Sequence, residues 1–194
     1  VVTNPSPNRG GPYWVFLKLL TDDGIAGFGE AFWVPVHPRK TVGLIEDVGE
    51  RLVIGANPFD IERLWRTLYS SGYAQHPDLI MMGVISAFEM ACWDIVGKAL
   101  NQPIYNLLGG QYHQKLRSYT YLYEKEPGDP DPQIDPDRAA ERALAYVEQG
   151  FTAIKLDPVG QENIAAEQLS LETLRNAENV VKKAREAVGD RADI

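Results

Sequence analysis

Phe151-Thr152-Ala153-Ile154-Lys155-Leu156-Asp157, closed by Pro158, is the stretch on which the fold class turns. Its aromatic, branched and apolar residues in a run of seven, set between Gly150 and a proline, predict a β-strand. Upstream, residues 137–148 carry a helical pattern that closes at Gly150. Before that lies Leu116-Arg117-Ser118-Tyr119-Thr120-Tyr121-Leu122-Tyr123, a second β-prone run. Downstream, a helical pattern covers roughly residues 165–188 and stops at Gly189-Asp190, and Ala192-Asp193-Ile194 reads as the start of another strand. Strand, helix, strand, helix, strand is the order of a parallel sheet with right-handed crossovers. Two and a half such units close no sheet and cover neither face, so the expectation is an α/β unit cut short at Ile194.

Working back toward the N-terminus, the pattern changes class. Residues 5–12 are turn-formers without an apolar period and predict a loop. Tyr13-Trp14-Val15-Phe16-Leu17-Lys18-Leu19-Leu20 predicts a strand, Asp22-Asp23-Gly24 a tight turn, and Ile25-Ala26-Gly27-Phe28-Gly29-Glu30 the returning arm of a hairpin. The glycines of that arm predict close backbone approach or a bulge. Val42, Ile45, Val48 and Leu52 give helical spacing from about Pro38 until Gly55 and Pro58, and Asp60 is the expected cap of a helix carrying Ile61, Leu64, Trp65 and Leu68. The longest periodic stretch covers residues 79–100, with Val84, Phe88, Ala91, Cys92, Ile95, Val96 and Ala99 on one stripe. Residues 1–110 thus read as an α+β unit and residues 115–194 as the opening of an α/β unit.

Bulk properties exclude several classes. With a formal net charge of −8 over 194 residues, the chain lacks the basic face that nucleic acid requires. Cys92 is the single cysteine, so no internal disulfide forms. No apolar run is expected to reach the ~18–20 residues of a membrane span. The start at Val1 carries no signal-peptide pattern, so no membrane partner and a cytoplasmic location are the expectation.

Lys155 and Asp157 are two apart on a strand, so their side chains share a face at its C-terminal end, the edge where catalytic groups collect in parallel α/β folds. The pair reads either as an acid–base or carboxylate-stabilising centre, or as a solvated ion pair of little energetic weight. Tyr119, Tyr121 and Tyr123 share one face of the preceding strand. Tyr121 and Tyr123 are nearest its C-terminal end, and they either offer hydroxyls to a polar substrate or pack as wall residues. Phe32-Trp33-Val34-Pro35-Val36-His37 is an unusually apolar loop, readable as a lid over a substrate or as a packing surface. His37, His76 and His113 have no metal-ligand spacing. Glu89 and Asp94 are acids on the long helix that could anchor helix contacts.

Three ordered motifs carry a resemblance. Ser86-Ala87-Phe88-Glu89-Met90-Ala91-Cys92-Trp93-Asp94-Ile95-Val96-Gly97-Lys98, followed by Pro103-Ile104 and Leu107-Leu108-Gly109-Gly110, resembles the signature of the mandelate racemase/muconate lactonizing branch of the enolase superfamily. Residues 23–30 are similar to that family's opening hairpin, and Gly150-Phe151-Thr152-Ala153-Ile154-Lys155 to its second barrel strand. The resemblance implies an α+β capping domain over residues 1–112 (antiparallel hairpin plus helices), followed over residues 113–194 by the N-terminal part of a (β/α)8 TIM-type barrel, truncated in this chain. It further implies Mg2+-dependent removal of the proton α to a carboxylate through an enediolate, a small acid-sugar substrate, a homo-oligomer, and Mg2+ ligands beyond Ile194, with none in this chain. Phe32, Trp33 and His37 would belong to the specificity loops of the cap, Tyr121 and Tyr123 to the substrate site, and Lys155 and Asp157 to the catalytic set. The family's usual Lys-x-Lys reads Lys155-Leu156-Asp157 here. Loss of the second lysine removes a racemase base and points to acid-sugar dehydration or cycloisomerisation, as in 3,6-anhydro-L-galactonate cycloisomerases. The alternatives are a racemase or epimerase of the same family, or a non-catalytic fold homologue.

Overall fold

The computed structural model describes residues 14–31, 36–70, 78–159 and 168–194. The chain divides into two compact units, Val1–Tyr112 and His113–Ile194.

In the first unit, β1 (Phe16–Leu20) pairs antiparallel with β2 (Ala26–Glu30), Leu17 opposite Gly29 and Leu19 opposite Gly27. The turn is the Asp22-Asp23-Gly24 expected, closed by Thr21 and Ile25 on either side. The Gly24 N–H donates to the Thr21 carbonyl at 2.9 Å, the Thr21 N–H donates to the Ile25 carbonyl at 3.0 Å, and Gly24 sits at φ +82°. This is a type I turn followed by a left-handed residue, for which glycine has no steric penalty. Helices follow: α1 (Pro38–Val48), which runs on into a single wider turn over Gly49–Val53, α2 (Ile61–Tyr69), α3 (Leu79–Ala99) and the short α4 (Ile104–Leu107). Asp60 does not cap α2 through its side chain. Its ψ of 49° departs from the extended backbone that aims a cap at the helix, and Asn57 Oδ1 instead accepts the Phe59 N–H at 3.0 Å. Asp78 does cap α3, accepting the Met81 N–H at 2.9 Å.

The unit is built around α3. Val84, Ile85, Ala87, Phe88, Ala91 and Cys92 are buried, facing Val15 and Leu17 of the hairpin, Ile45 and Val48 of α1, and Leu64 and Leu68 of α2. Burial, aided by the field of Glu89, pushes the Cys92 thiol up to about 11. By length and composition α3 could cross a membrane, with 21 residues and a mean hydropathy of 1.7, contrary to the expectation that no run was long enough. Its packing is that of a core helix, with Val84, Ile85, Ala87, Phe88, Ala91, Cys92, Ile95 and Val96 buried within the unit. At its C-terminus, Asn101 adopts φ 50°, while the Gln102 N–H donates to the Gly97 carbonyl and the Asn101 N–H to the Lys98 carbonyl, a Schellman closure.

The expectation of close backbone approach at the hairpin glycines is met on α3. A Cβ on Gly29 would lie 1.9 Å from the Ala87 carbonyl oxygen, and one on Gly27 would lie 2.1 Å from that of Ala91. Two strand residues span ~6.8 Å and four helical residues ~6.0 Å, so a glycine pair two apart and an alanine pair four apart meet in register. The same stripe continues to Asp94 and Lys98. Asp94 Oδ2 accepts the Phe28 N–H at 2.9 Å, and Lys98 Nζ donates to both the Ala26 carbonyl and Asp94 Oδ2 at 2.7 Å. Asp94 therefore anchors the helix to the free backbone edge of β2, and Glu89 takes no part in that contact.

In the second unit, β3 (Thr120–Tyr121) and β4 (Ile154–Lys155) pair in parallel, with Tyr121 opposite Lys155. Ala153 makes a parallel bridge to Asp193. Helices α5 (Pro136–Glu148) and α6 (Leu171–Val188) connect them. Asp135 caps α5, its carboxylate accepting the N–H groups of Asp137 and Arg138 at 3.0 Å. Ser170 caps α6, which begins at Leu171 rather than near residue 165. The paired strands are shorter than the β-prone runs because side chains take over from backbone at both ends. At the N-terminal end, Arg117 donates to the Thr152 carbonyl, to Thr152 Oγ1 at 2.9 Å and to Asp193 Oδ2 at 2.6 Å. At the C-terminal end, Gln133 stands between the two strands. Leu122 and Ile154 are buried with Ala139, Ala143, Val180, Ala184 and Val188, so this face of the strands is packed by the helices.

The glycine–helix contact makes a directional prediction. Gly29→Ala forces backbone apart and should lose ~3 kcal/mol or more in a urea melt of the full-length protein. Gly43→Ala, inside α1 with open space around it, should gain ~0.5–1 kcal/mol. Equal effects would refute close packing as the reason for glycine at position 29.

Candidate functional site

Because Leu122 and Ile154 turn toward the helices, the alternating residues turn away from them. Tyr119, Tyr121 and Lys155 lie together on that opposite face. Lys155 Nζ sits 4.8 Å from the centre of the Tyr121 ring and 5.7 Å from that of Tyr119, a cation over two aromatic faces. The Tyr121 and Tyr123 rings are 6.1 Å apart and tilted by 44°. Hydrogen bonding to the Tyr121 side chain, then the fields of Tyr121 and Tyr119, with a smaller contribution from Asp157, hold the Lys155 ammonium above the ordinary lysine range. Lys155 is exposed, so this direction describes its charge state and not a store of stability. A lysine raised in this way is a cation at neutral pH. It is equipped to face an anion, and poorly equipped to accept a proton.

Tyr123 is held neutral beyond the usual phenol range, first by burial and then by the neighbouring Tyr146, Tyr121 and Tyr119. Its carbonyl accepts Arg142 Nε at 2.8 Å, and the Arg142 guanidinium lies 4.9 Å over the Tyr146 ring. Asp157 presents an exposed side chain, while its backbone N–H donates to Gln133 Oε1 at 2.6 Å. The other end of the same amide, Gln133 Nε2, donates to the Leu122 carbonyl. Gln133 is 5% exposed.

The remaining candidates have different surroundings. Phe32 and Trp33, and the loop over residues 5–12, lie outside the described residues. His37, in the first unit, is exposed and caps α1, its Nδ1 accepting the Arg39 N–H at 3.3 Å. Asp193 is committed to Arg117 at the N-terminal end of its strand. Among the described residues no three His, Cys, Asp or Glu side chains converge on a point that could hold a metal ion.

Gln133, Arg117 and Arg142 escape a reading by periodicity. Each acts across more than ten residues through a side chain, and no local pattern announces such a bond. The one local sign at Gln133 is the Asp131-Pro132 turn before it, where Asp131 Oδ1 accepts the Gln133 N–H at 2.9 Å.

Comparison with known proteins agrees with this architecture. The model of the mandelate racemase/muconate lactonizing enzyme N-terminal domain matches residues 9–109. A D-galactonate dehydratase from Klebsiella pneumoniae is 33% identical over 179 residues, 92% of this chain and 43% of its own length. A D-xylonate dehydratase from Haloferax volcanii is 34% identical over 192 residues, 93% of this chain and 43% of its own. Among solved structures, a mandelate racemase/muconate lactonizing enzyme from Sulfitobacter sp. superimposes with a TM-score of 0.90 at 42% identity, over 98% of this chain and 49% of its own. The chain belongs to the mandelate racemase/muconate lactonizing enzyme family of the enolase superfamily, and its first unit carries the family's α+β N-terminal domain with its antiparallel hairpin. It spans somewhat under half the length of the curated dehydratases it matches.

The Lys155–Tyr121 contact predicts that Tyr121→Phe lowers the pH at which Lys155 becomes nucleophilic. Acylation of Lys155 followed by peptide mass spectrometry across pH 8–11 would measure it, and an unmoved profile would contradict the contact.

Proposed function

We propose that the full-length protein is a lyase that dehydrates a sugar acid. The observation that carries the reading is the pair of curated relatives. Both are sugar-acid dehydratases, and both align with 92–93% of the chain, through the second unit as well as the first. The exposed cationic Lys155, on the face of β3 and β4 opposite the helices, is a group such chemistry can use.

Under this reading the second unit is the opening of a (β/α)8 barrel that continues past Ile194, and its face carrying Lys155 is the interior. In the reaction, the α-proton of the sugar acid passes to a base and the β-hydroxyl departs, with a proton, as water. The resulting enol tautomerises to a 2-keto-3-deoxy acid. Charge develops on the carboxylate oxygens as the α-proton leaves. Lys155 meets that charge with an ammonium fixed over Tyr121 and Tyr119, and the neutral Tyr123 hydroxyl is available as a donor to the sugar. Asp157 takes the place of a second lysine and contacts the sugar's hydroxyls. Phe32, Trp33 and His37 belong to the loops that close over the substrate. Mg2+ would add Lewis-acid stabilisation of the same charge. The carboxylates among the described residues do not make a site for it, and the role of Lys155 stands without one. The functional protein is a homo-oligomer in this reading.

Removing a preorganised donor of this kind costs ~100–1,000-fold in kcat. Lys155→Ala in the full-length protein, assayed with D-galactonate and D-xylonate, should show that loss, and Lys155→Arg should recover part of it by restoring charge. The limb of the rate profile that depends on Lys155 should fall only above the ordinary lysine range, because the Tyr121 contact raises its pKa and the cation persists below it. Full turnover by Lys155→Ala would exclude the assignment. A Lys155-dependent limb near neutral pH would make the residue a base and favour a racemase or epimerase.

A further inference from the structure

The buried amide of Gln133 is the one side chain among the described residues that ties together the two strand ends on which the candidate site stands. Oε1 accepts the Asp157 N–H at 2.6 Å and Nε2 donates to the Leu122 carbonyl. Leu122 lies between Tyr121 and Tyr123, and Asp157 two residues beyond Lys155. Neither strand end has a backbone partner for these groups, since the last bond of the ladder is the Leu122 N–H to the Lys155 carbonyl, at 3.2 Å. The amide therefore takes over where the ladder stops. An amide does this at any pH, because one group must be accepted from and the other donated to by the same planar end, whereas a carboxyl can do so only while protonated.

We propose that Gln133 is a positioning residue. By bridging Leu122 and Asp157 it fixes the Lys155-Leu156-Asp157 segment against Tyr121 and Tyr123, and so sets where the Lys155 ammonium sits relative to the substrate. The proposal rests on the dehydratase reading for its kinetic consequence, but the spatial coupling it asserts is independent of that reading. Arg117 supplies the internal comparison. It clamps the opposite ends of the same strands through Thr152, three residues before Lys155, and Asp193, and its loss should weaken the sheet without moving the ammonium.

The test uses the full-length protein and three variants. Gln133→Leu removes both bonds. It should lose ~100-fold in kcat at a temperature where circular dichroism shows it folded, as a misplacement of about 1 Å does. It should also make Lys155 more reactive to an acylating reagent at pH 9, because the ammonium is freed from Tyr121. Arg117→Leu should lower the melting temperature and leave kcat and Lys155 acylation unchanged. Gln133→Glu accepts from Asp157 but cannot donate to Leu122 while ionised. Its kcat relative to wild type should rise as pH falls and the buried carboxyl takes up the missing proton. Unchanged kcat and unchanged acylation in Gln133→Leu would overturn the proposal. Should that variant not fold, a flat Gln133→Glu to wild-type ratio across pH would overturn it instead. If Lys155→Ala itself retains full turnover, the role given to Lys155 in the reaction falls, and acylation of Lys155 alone decides the coupling; if the wild-type protein dehydrates no sugar acid, the dehydratase reading falls and the same acylation still decides it.

Discussion

The second unit depends on one register. With Tyr121 opposite Lys155 in a parallel pair, the period of two along each strand sorts every neighbouring side chain. Leu122 and Ile154 face α5 and α6 and close an apolar core with Val180 and Val188. Tyr121 and Lys155 face the other way. A slip of β4 by one residue would bury Lys155 among valines and expose Ile154, a double penalty that fixes the register strongly. The candidate site is thus a consequence of how the strands bury their apolar face. The ammonium stands over aromatic rings because its strand neighbour must be packed.

The first unit rests on an analogous constraint of size. Gly27 and Gly29 admit the backbone of α3 at Ala91 and Ala87 to distances that no Cβ would allow. Once the helix lies that close, Asp94 and Lys98 reach the free edge of β2 and satisfy its Phe28 N–H and Ala26 carbonyl. The acid and the lysine that make the helix motif distinctive therefore serve packing and edge protection. An edge strand whose polar groups are taken up in this way is also closed to pairing with another chain.

The features legible in the sequence were those governed by local period. The long helix, the hairpin, the closeness of its glycines and the shared face of Tyr121 and Tyr123 follow from spacings of 3.6 and 2. What was misread lay at the ends of elements, where tertiary partners decide. The β3 and β4 pairing is short because the side chains of Arg117 and Gln133 replace backbone at its two ends. Asp60 looks like a cap but lacks the backbone angle for it, while Asp135, one residue before a proline, has the extended backbone that a cap needs. Gln133 was invisible for the same reason. A buried amide spanning 24 residues to Asp157 leaves no trace in any window of sequence.

The account is tested most directly by following the full-length protein with D-galactonate, D-xylonate or D-gluconate and Mg2+ by NMR in D2O. Dehydration predicts loss of the α-proton together with the β-hydroxyl, giving a 2-keto-3-deoxy acid that carries deuterium from solvent at C3. Exchange of the α-proton with the carbon skeleton and hydroxyls intact, or no reaction with any sugar acid, would contradict it.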